Sequence, residues 1–401
     1  MTDERMHEDE GRIGGAELAQ RLERTRERMR HAGLDGLVVV DPANLHYLTG
    51  YDAWSFYMPQ LLFVPLEGEP LLIMRQMDAG GAHRTARTPR ERILGYPEAL
   101  VHRHDVHPFD WAAEQLRAHG FGGRGRIGYE AEAHFLSVRS FHALERGLPE
   151  WTLVDCRDLV NWVRLVKSPA ELVLLRRAGL VASAAMRAGI DAVAAGARQN
   201  DVAAAIQHAQ ATGVEGADGE YPAIVPMLPT GESADTPHMT WSARRLGAGE
   251  AVSIELAGAH RRYHAPLART ISLGTPDDRL RQLADITAEG LQLVLDGLRP
   301  GRTVAEVHGL WRDHIAAHGI EKPSRLGYSI GIGYPPDWGE RTVSIRGDDE
   351  TVLEPGMAFH VIAGMWMSGY GCELSESVAL RDGGVEVLTD APRELIVREG
   401  A

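Results

Sequence analysis

Apolar residues recur at helical spacing through AELAQRLERTRERMRHAG (Ala16 to Gly33), and the closing glycine marks a stop. A short apolar run from Leu37 to Val40 predicts a buried strand. QLLFVPL and PLLIMR predict two more, divided by a Glu-Gly turn. Helices are expected from Asp110 to His119 and from Arg139 to Arg146, with a strand from Arg126 to Tyr129 between them. Strand and helix alternate, which predicts an α/β domain. From Asp158 the pattern becomes helical again, and within it Ser168 suits an N-cap and Pro169 a first helical position. A domain boundary is therefore expected near residue 165. Beyond it the pattern predicts a helix from Gln199 to Ala211, a Pro/Gly-rich loop from Tyr221 to Thr240 and strands from Ala251. A helix from Asp278 to Leu298 and another after RPGRTVAEV follow, and the remainder reads as strands and loops. No repeat or low-complexity linker interrupts the chain. The organisation is two mixed α/β (α+β) domains, residues 15–165 and 166–401, behind a polar, acidic tail at 1–14 that is expected to be disordered.

Composition narrows the partners. The 401 residues are 44% hydrophobic and 24% charged, as in an ordinary globular protein. A net charge of −14 argues against nucleic acid or an anionic membrane as partner. No apolar run approaches the ~20 residues needed to span a bilayer. The opening MTDERMHEDEGRIG lacks the basic start and apolar middle of a signal peptide. With only Cys156 and Cys372, a disulfide framework is excluded, and a cytoplasmic location is expected. Cys372 has no obvious base beside it. The histidines of VHRHDVH lack the spacing of a metal site and read as a solvated loop. GFGGRGRIG lacks the Lys-Ser/Thr ending of a phosphate loop and precedes a strand.

VKSPAELVLLRRAG, LRPGRTVAEV, LEPGMAFHV and the strand after Gly371 resemble, in order and spacing, the framework of the prolidase, aminopeptidase P and creatinase superfamily. That resemblance implies a pita-bread fold over roughly residues 165 to 395, preceded by a creatinase-type N-terminal domain. It also implies where two metal ions would be held, and those positions are refilled. Glu255 and Pro266 stand where two aspartates are expected, Tyr328 (in GYSIG) where a histidine is, and Ile362 and Ser375 where glutamates are. Proline and isoleucine offer no donor atom, whereas dinuclear Mn, Co or Zn sites need several carboxylates and imidazole. The site chemistry therefore predicts a hydrolase that works without metal or other cofactor.

A more specific resemblance lies in LTGYDAWSFY, GEYPAIVPMLPTG, TPHMTW, RYHAPLART and YPPDWGERT, which are similar to the ectoine hydrolases, a metal-independent family of the same superfamily. It implies a small-molecule substrate, the cyclic amidine ectoine, opened to N-acetyl-2,4-diaminobutyrate. Creatinase, which cleaves a guanidino C–N bond on the same scaffold, is the nearest competitor. The superfamily resemblance further implies a homodimer in which the N-terminal domain of one subunit helps cover its partner's active site.

The residues suit that chemistry. A protonated amidine already carries positive charge, so it needs a carboxylate, a proton donor and a pocket that fixes its orientation. Glu255, mid-strand in AVSIELAG, is the first choice to attack the amidine carbon or activate water. The bland alternative pairs it with Arg269. His238 in TPHMTW, at the position of creatinase's catalytic histidine, is the candidate proton carrier. Glu373 shares a strand face with Ser375 and is the candidate second carboxylate, while Glu376 points the other way. His264, Tyr328, His360, Trp366 and Tyr334 are expected to line the pocket. Tyr51, Trp54, Phe56 and Tyr57 offer aromatic faces for a flat cation. Arg75 and Asp78 are weaker candidates, and Trp338, Glu340 and Arg341 of WGERT have no assigned chemistry. Two other readings stand beside this one: a metal-dependent Xaa-Pro peptidase, and a catalytically silent binding protein.

Overall fold

The structure is a computed structural model and describes residues 13–399. All but the last two residues of the expected tail at 1–14 lie outside that range. The chain divides into two compact units at Arg164/Leu165. Among the described residues no helix is long and apolar enough to cross a membrane.

The first unit is built on six strands: β1 (Gly36–Val39), β2 (Leu61–Pro65), β3 (Leu71–Arg75), β4 (Ile93–Tyr96), β5 (Gly125–Tyr129) and β6 (Trp151–Asp155). They lie in the order β4-β3-β2-β1-β5-β6. The pairs β1/β2 and β2/β3 are antiparallel and the others parallel. Val38, Phe63, Ile73, Phe109, Leu116, Ile127 and Leu144 form its core. The VHRHDVH stretch is a loop with His102 and His104 exposed. Its last histidine, His107, is a helix cap: its Nδ1 accepts from Phe109 N at 3.1 Å.

The second unit opens as the Ser-Pro signal predicts. Ser168 and Glu171 form a reciprocal capping box and Pro169 begins the helix Pro169–Ala192. The helical region expected from Asp158 is therefore two helices, Leu159–Arg164 and Pro169–Ala192, because Pro169 cannot continue an incoming helix. The sheet strands are β7 (Ala251–His260), β8 (Tyr263–Leu273), β9 (Gly327–Tyr334), β10 (Asp337–Ser344), β11 (Ala358–Met367), β12 (Tyr370–Arg381), β13 (Gly384–Val387) and β14 (Ile396–Arg398). Their order is β13-β12-β11-β9-β8-β14, with β10 on β9 and β7 on β8. The helix Pro169–Ala192 packs closely on β7 at Gly258, where a Cβ would stand 2.2 Å from Ala178 O.

Proline within a sheet is usually confined to edges and bulges, yet Pro266 lies in β8, which is interior and fully buried. The explanation is a seam between β8 and β12 that is stitched by side chains. Ser377 Oγ donates to Pro266 O (2.7 Å), Ala268 N donates to Ser375 Oγ (2.6 Å), and Glu373 N donates to Thr270 Oγ1 (2.8 Å). At such a seam the missing proline N–H removes no bond from a ladder. Pro266 and Ser375, where the resemblance expects metal ligands, thus help join β8 to β12.

Candidate active site

Strand alternation and register collect the site. Glu255 is paired with Ala268 across β7/β8, Tyr328 with His360 across β9/β11, and Ile362 and Gly364 with Ser375 and Glu373 across β11/β12. Residues two apart share a face, so His360, Ile362 and Gly364 face the same way, as do Glu373 and Ser375. Ala223, Ala257 and Trp338 pack together, with Ile224 and Tyr328 against them.

Two buried carboxylates dominate this face. Glu255 is 5% exposed and Glu373 is 1% exposed. Burial pushes both above the ordinary carboxylate range, and the charge of Glu373 pushes Glu255 further. Glu373 is held back by the Trp366 indole, whose Nε1–H donates to Oε1 at 2.6 Å, and by the charge of Lys322. The two carboxylates titrate as a pair. Glu373 Oε2 is buried without a hydrogen-bond partner. The salt bridge between Glu255 and Arg269 does not form. Arg269 sits on the opposite face and pairs with Glu376 at 2.6 Å. The outward turn of Glu376 relative to Glu373 is the one that alternation predicts.

Trp366 reaches Glu373 by folding back over Gly364, where a Cβ would meet the indole at 2.4 Å. Lys322 Nζ lies 5.4 Å from the Trp366 ring centroid. Burial lowers the Lys322 ammonium to about 8, with Glu373 opposing that shift. Arg325 stacks on Tyr328 at 4.3 Å from the ring centroid. Lys322 and Arg325 also line a cavity of about 920 Å³ with Trp311, Ile315 and Arg346.

Tyr328, His360 and Ser375 are bonded in series. Trp338 Nε1 donates to Tyr328 Oη (2.7 Å), Tyr328 Oη meets His360 Nδ1 (3.0 Å), and His360 Nε2 meets Ser375 Oγ (2.8 Å). Burial, aided by Arg325 and Arg269, lowers His360 to about 3, so the imidazole is neutral. Burial and the charge of Glu255 push the Tyr328 phenol well above its usual range.

The other expected site residues divide. His264 is buried and structural: Nε2 accepts from Ala223 N (2.9 Å) and Nδ1 donates to Arg262 O (2.8 Å). It fastens the loop that carries Ala223 rather than offering a nitrogen to a ligand, and burial holds it near 3. Tyr334 is 5% exposed and packs against the Arg262 guanidinium, which also lies 3.9 Å from the Tyr221 ring centroid. Glu340 is buried against Lys167 Nζ at 2.6 Å. His238 stands exposed in the loop after the 3₁₀ turn Gly231–Asp235, and no described hydrogen bond joins it to either carboxylate. In the first unit, Tyr51 is buried on Ser55 Oγ (2.5 Å) and Phe56 is buried against Trp54 and Phe135. Trp54 and Tyr57 are exposed there. Arg75 is paired with Glu98, and Asp78 is drawn upward by burial. Cys372 is fully buried, its thiol raised to about 12, which leaves it an inert packing residue. Sequence reasoning missed Lys322 and the role of Trp338. Trp338 was visible only as part of WGERT, and Lys322 carried no motif.

These side chains do not fit the dinuclear metal centre of the wider fold. Pro266 and Ile362 have no donor. Ser375 Oγ takes the Ala268 amide and His360, and both nitrogens of His264 and of His360 are engaged. Among the described residues no three His, Cys, Asp or Glu side chains converge as a metal site.

The chain belongs to the metallopeptidase family M24, matched over residues 173–382, behind a creatinase/prolidase N-terminal domain matched over residues 21–166. This is the pita-bread hydrolase architecture. The chain is 39% identical to the ectoine hydrolase of Halomonas elongata over 391 residues, covering 95% of this chain and 97% of that one. It is 42% identical to an uncharacterized hydrolase/peptidase, y4tM, of Sinorhizobium fredii, over 96% of this chain and 98% of that one. Its fold matches the prolidase of Thermococcus sibiricus with a TM-score of 0.83 at 19% identity, over 96% of this chain and 100% of that one.

Proposed function

We propose that this protein opens the cyclic amidine ring of ectoine to N-acetyl-2,4-diaminobutyrate, without a metal ion, through Glu255 and Glu373. The observation that carries this reading is the carboxylate pair: two buried, mutually repelling acids on one sheet face, with no ion pair to either among the described residues and the charge of Lys322 acting on Glu373 alone. A buried carboxylate without a cation is unfavourable. An amidinium is a cation of the right kind, with N–H donors on both sides of its electrophilic carbon. Its arrival favours ionisation of the pair.

Glu255 either bonds to the amidine carbon or takes a proton from the water that does. In the water route the hydroxide adds to that carbon, one C–N bond breaks, the departing nitrogen gains a proton and the added oxygen becomes the acetamide carbonyl. Glu373, accepting from Trp366, holds the second nitrogen side. Lys322 and Arg325 suit the substrate carboxylate. His238 belongs on this reading to the rim, while proton movement falls to the buried groups. The functional unit is a cytoplasmic homodimer, in which the exposed aromatic side chains Trp54 and Tyr57 meet a partner's substrate. The metal-free reading is supported by the donor set.

The test is turnover of ectoine followed by proton NMR, with creatine and an Xaa-Pro dipeptide as competitors. Ring opening of ectoine alone supports the proposal. Cleavage of creatine or the dipeptide, with ectoine untouched, would replace it.

A further inference from the structure

The Tyr328–His360–Ser375 chain has an unusual proton count. Its outer ends are fixed by groups that can only donate: the Trp338 indole N–H at Tyr328 Oη and the Ala268 amide N–H at Ser375 Oγ. Between them lie two links, at 3.0 Å and 2.8 Å. The neutral imidazole brings one proton and the two hydroxyls bring one each. Three protons serve two links, so one hydroxyl proton is left over.

Two arrangements satisfy every group. In the first, Tyr328 donates to Nδ1, Nε2–H donates to Ser375, and the Ser375 proton is free. In the second, Ser375 donates to Nε2, Nδ1–H donates to Tyr328, and the Tyr328 proton is free. Both hydroxyls belong to residues on the face that carries the carboxylates, and Glu255 exerts the largest charge effect on Tyr328.

We propose that this chain is a neutral proton relay, with Tyr328 the donor to the departing substrate nitrogen and His360 and Ser375 the positioning residues that reload it. The proposal rests on the ring-opening reading. Starting from the second arrangement, Tyr328 gives its free proton to the nitrogen as the C–N bond breaks. Its oxygen takes the Nδ1 proton, Nε2 takes the Ser375 proton, and Ser375 takes the remaining proton of the hydroxyl added to the amidine carbon as that oxygen becomes the carbonyl, the first water proton having gone to Glu255. One proton enters, one leaves, and the histidine changes tautomer without changing charge. Burial disfavours both a phenolate at Tyr328 and an imidazolium at His360, so the transfers are coupled rather than stepwise. The relay needs no exposed histidine.

The test has two readouts. In protein labelled with ¹⁵N-histidine, the ring nitrogens of His360, assigned by difference from His360→Gln, should show a neutral ring from pH 5 to pH 9. With ectoine bound to the Glu255→Gln protein, which does not turn it over, the ring proton should sit on Nδ1, the arrangement from which Tyr328 can donate. An imidazolium signal in that range, or a ring proton on Nε2 in that complex, would overturn the relay. In kinetics, His360→Gln and Ser375→Ala should each lower kcat about 10- to 100-fold with KM nearly unchanged. The double variant should be no slower than the worse single, because the residues act as one unit. Ser375→Thr should restore most of the rate. Additive losses, or losses in KM alone, would make the chain a structural strut. If the wild-type protein opens no cyclic amidine, the function fails, and the tautomer measurement in the ligand-free protein still tests the neutral ring by itself.

Discussion

Trp366→Phe is the sharpest probe of the carboxylate pair. The indole N–H donates to Glu373 Oε1 at 2.6 Å, and Glu373 Oε2 has no partner. Phenylalanine keeps an aromatic ring at the position, smaller than the indole, and removes the N–H donor. A hydrogen bond to a charged group contributes about 1.5–3 kcal/mol, and it favours the ionised form. Each ~1.4 kcal/mol corresponds to one pH unit, so Glu373 should titrate about 1–2 units higher in the variant. Glu373 must be ionised to hold an amidinium. The acid limb of kcat/KM for ectoine should therefore move to higher pH by that amount. Below the limb the variant should be about 10- to 100-fold slower than wild type, and the deficit should shrink as pH rises. An unmoved limb with a uniform rise in KM would mean that Trp366 is only an aromatic wall and that Glu373 is not the second carboxylate.

Gly364→Ala would drive a methyl group into the Trp366 ring, so it should reproduce the Trp366→Phe shift in the pH profile while far-ultraviolet circular dichroism stays unchanged. Glu255 has a pKa raised on folding, so its contribution to stability is complete below the ordinary carboxylate range and is lost as pH rises through the raised value. Urea unfolding of Glu255→Gln should therefore resemble wild type near pH 4 and show greater stability than wild type at pH 9. Lower stability at pH 9 would mean that Glu255 has a cation partner. Lys167→Met leaves Glu340 without its buried cation and should cost about 3–5 kcal/mol in the same unfolding assay; a loss under ~1 kcal/mol would mean that water reaches the pair.

Local pattern revealed the ends of the helices, the Ser-Pro domain opening and the alternation that puts Glu373 and Ser375 on one face with Glu376 on the other. The family resemblance, not the pattern, added that Pro266 and Ile362 stand where metal ligands are expected. What local pattern could not reveal depends on residues far apart in sequence. The seam that accommodates Pro266 joins it to Ser377 across more than a hundred positions. Arg269 finds Glu376 rather than Glu255 because the two strand faces part them, and that needs the β8/β12 contact. Tyr51 and Phe56 belong to the same aromatic cluster as Trp54 and Tyr57, yet their surroundings bury one pair and expose the other. Composition of a cluster carries no inward or outward direction. His264 shows the same limit: a histidine among site residues became a fastening for a loop, because a backbone N–H reached its ring first.

The most direct measurement is ectoine turnover by EDTA-dialysed wild-type protein and by Glu255→Gln, with metal content determined on the same samples. The account predicts full ring opening at metal levels far below one per chain, no gain on adding Mn, Co or Zn, and a loss of at least about 10⁴-fold in Glu255→Gln. Activity that disappears on dialysis and returns with metal, or a Glu255→Gln protein that still opens the ring at near wild-type rate, would contradict it.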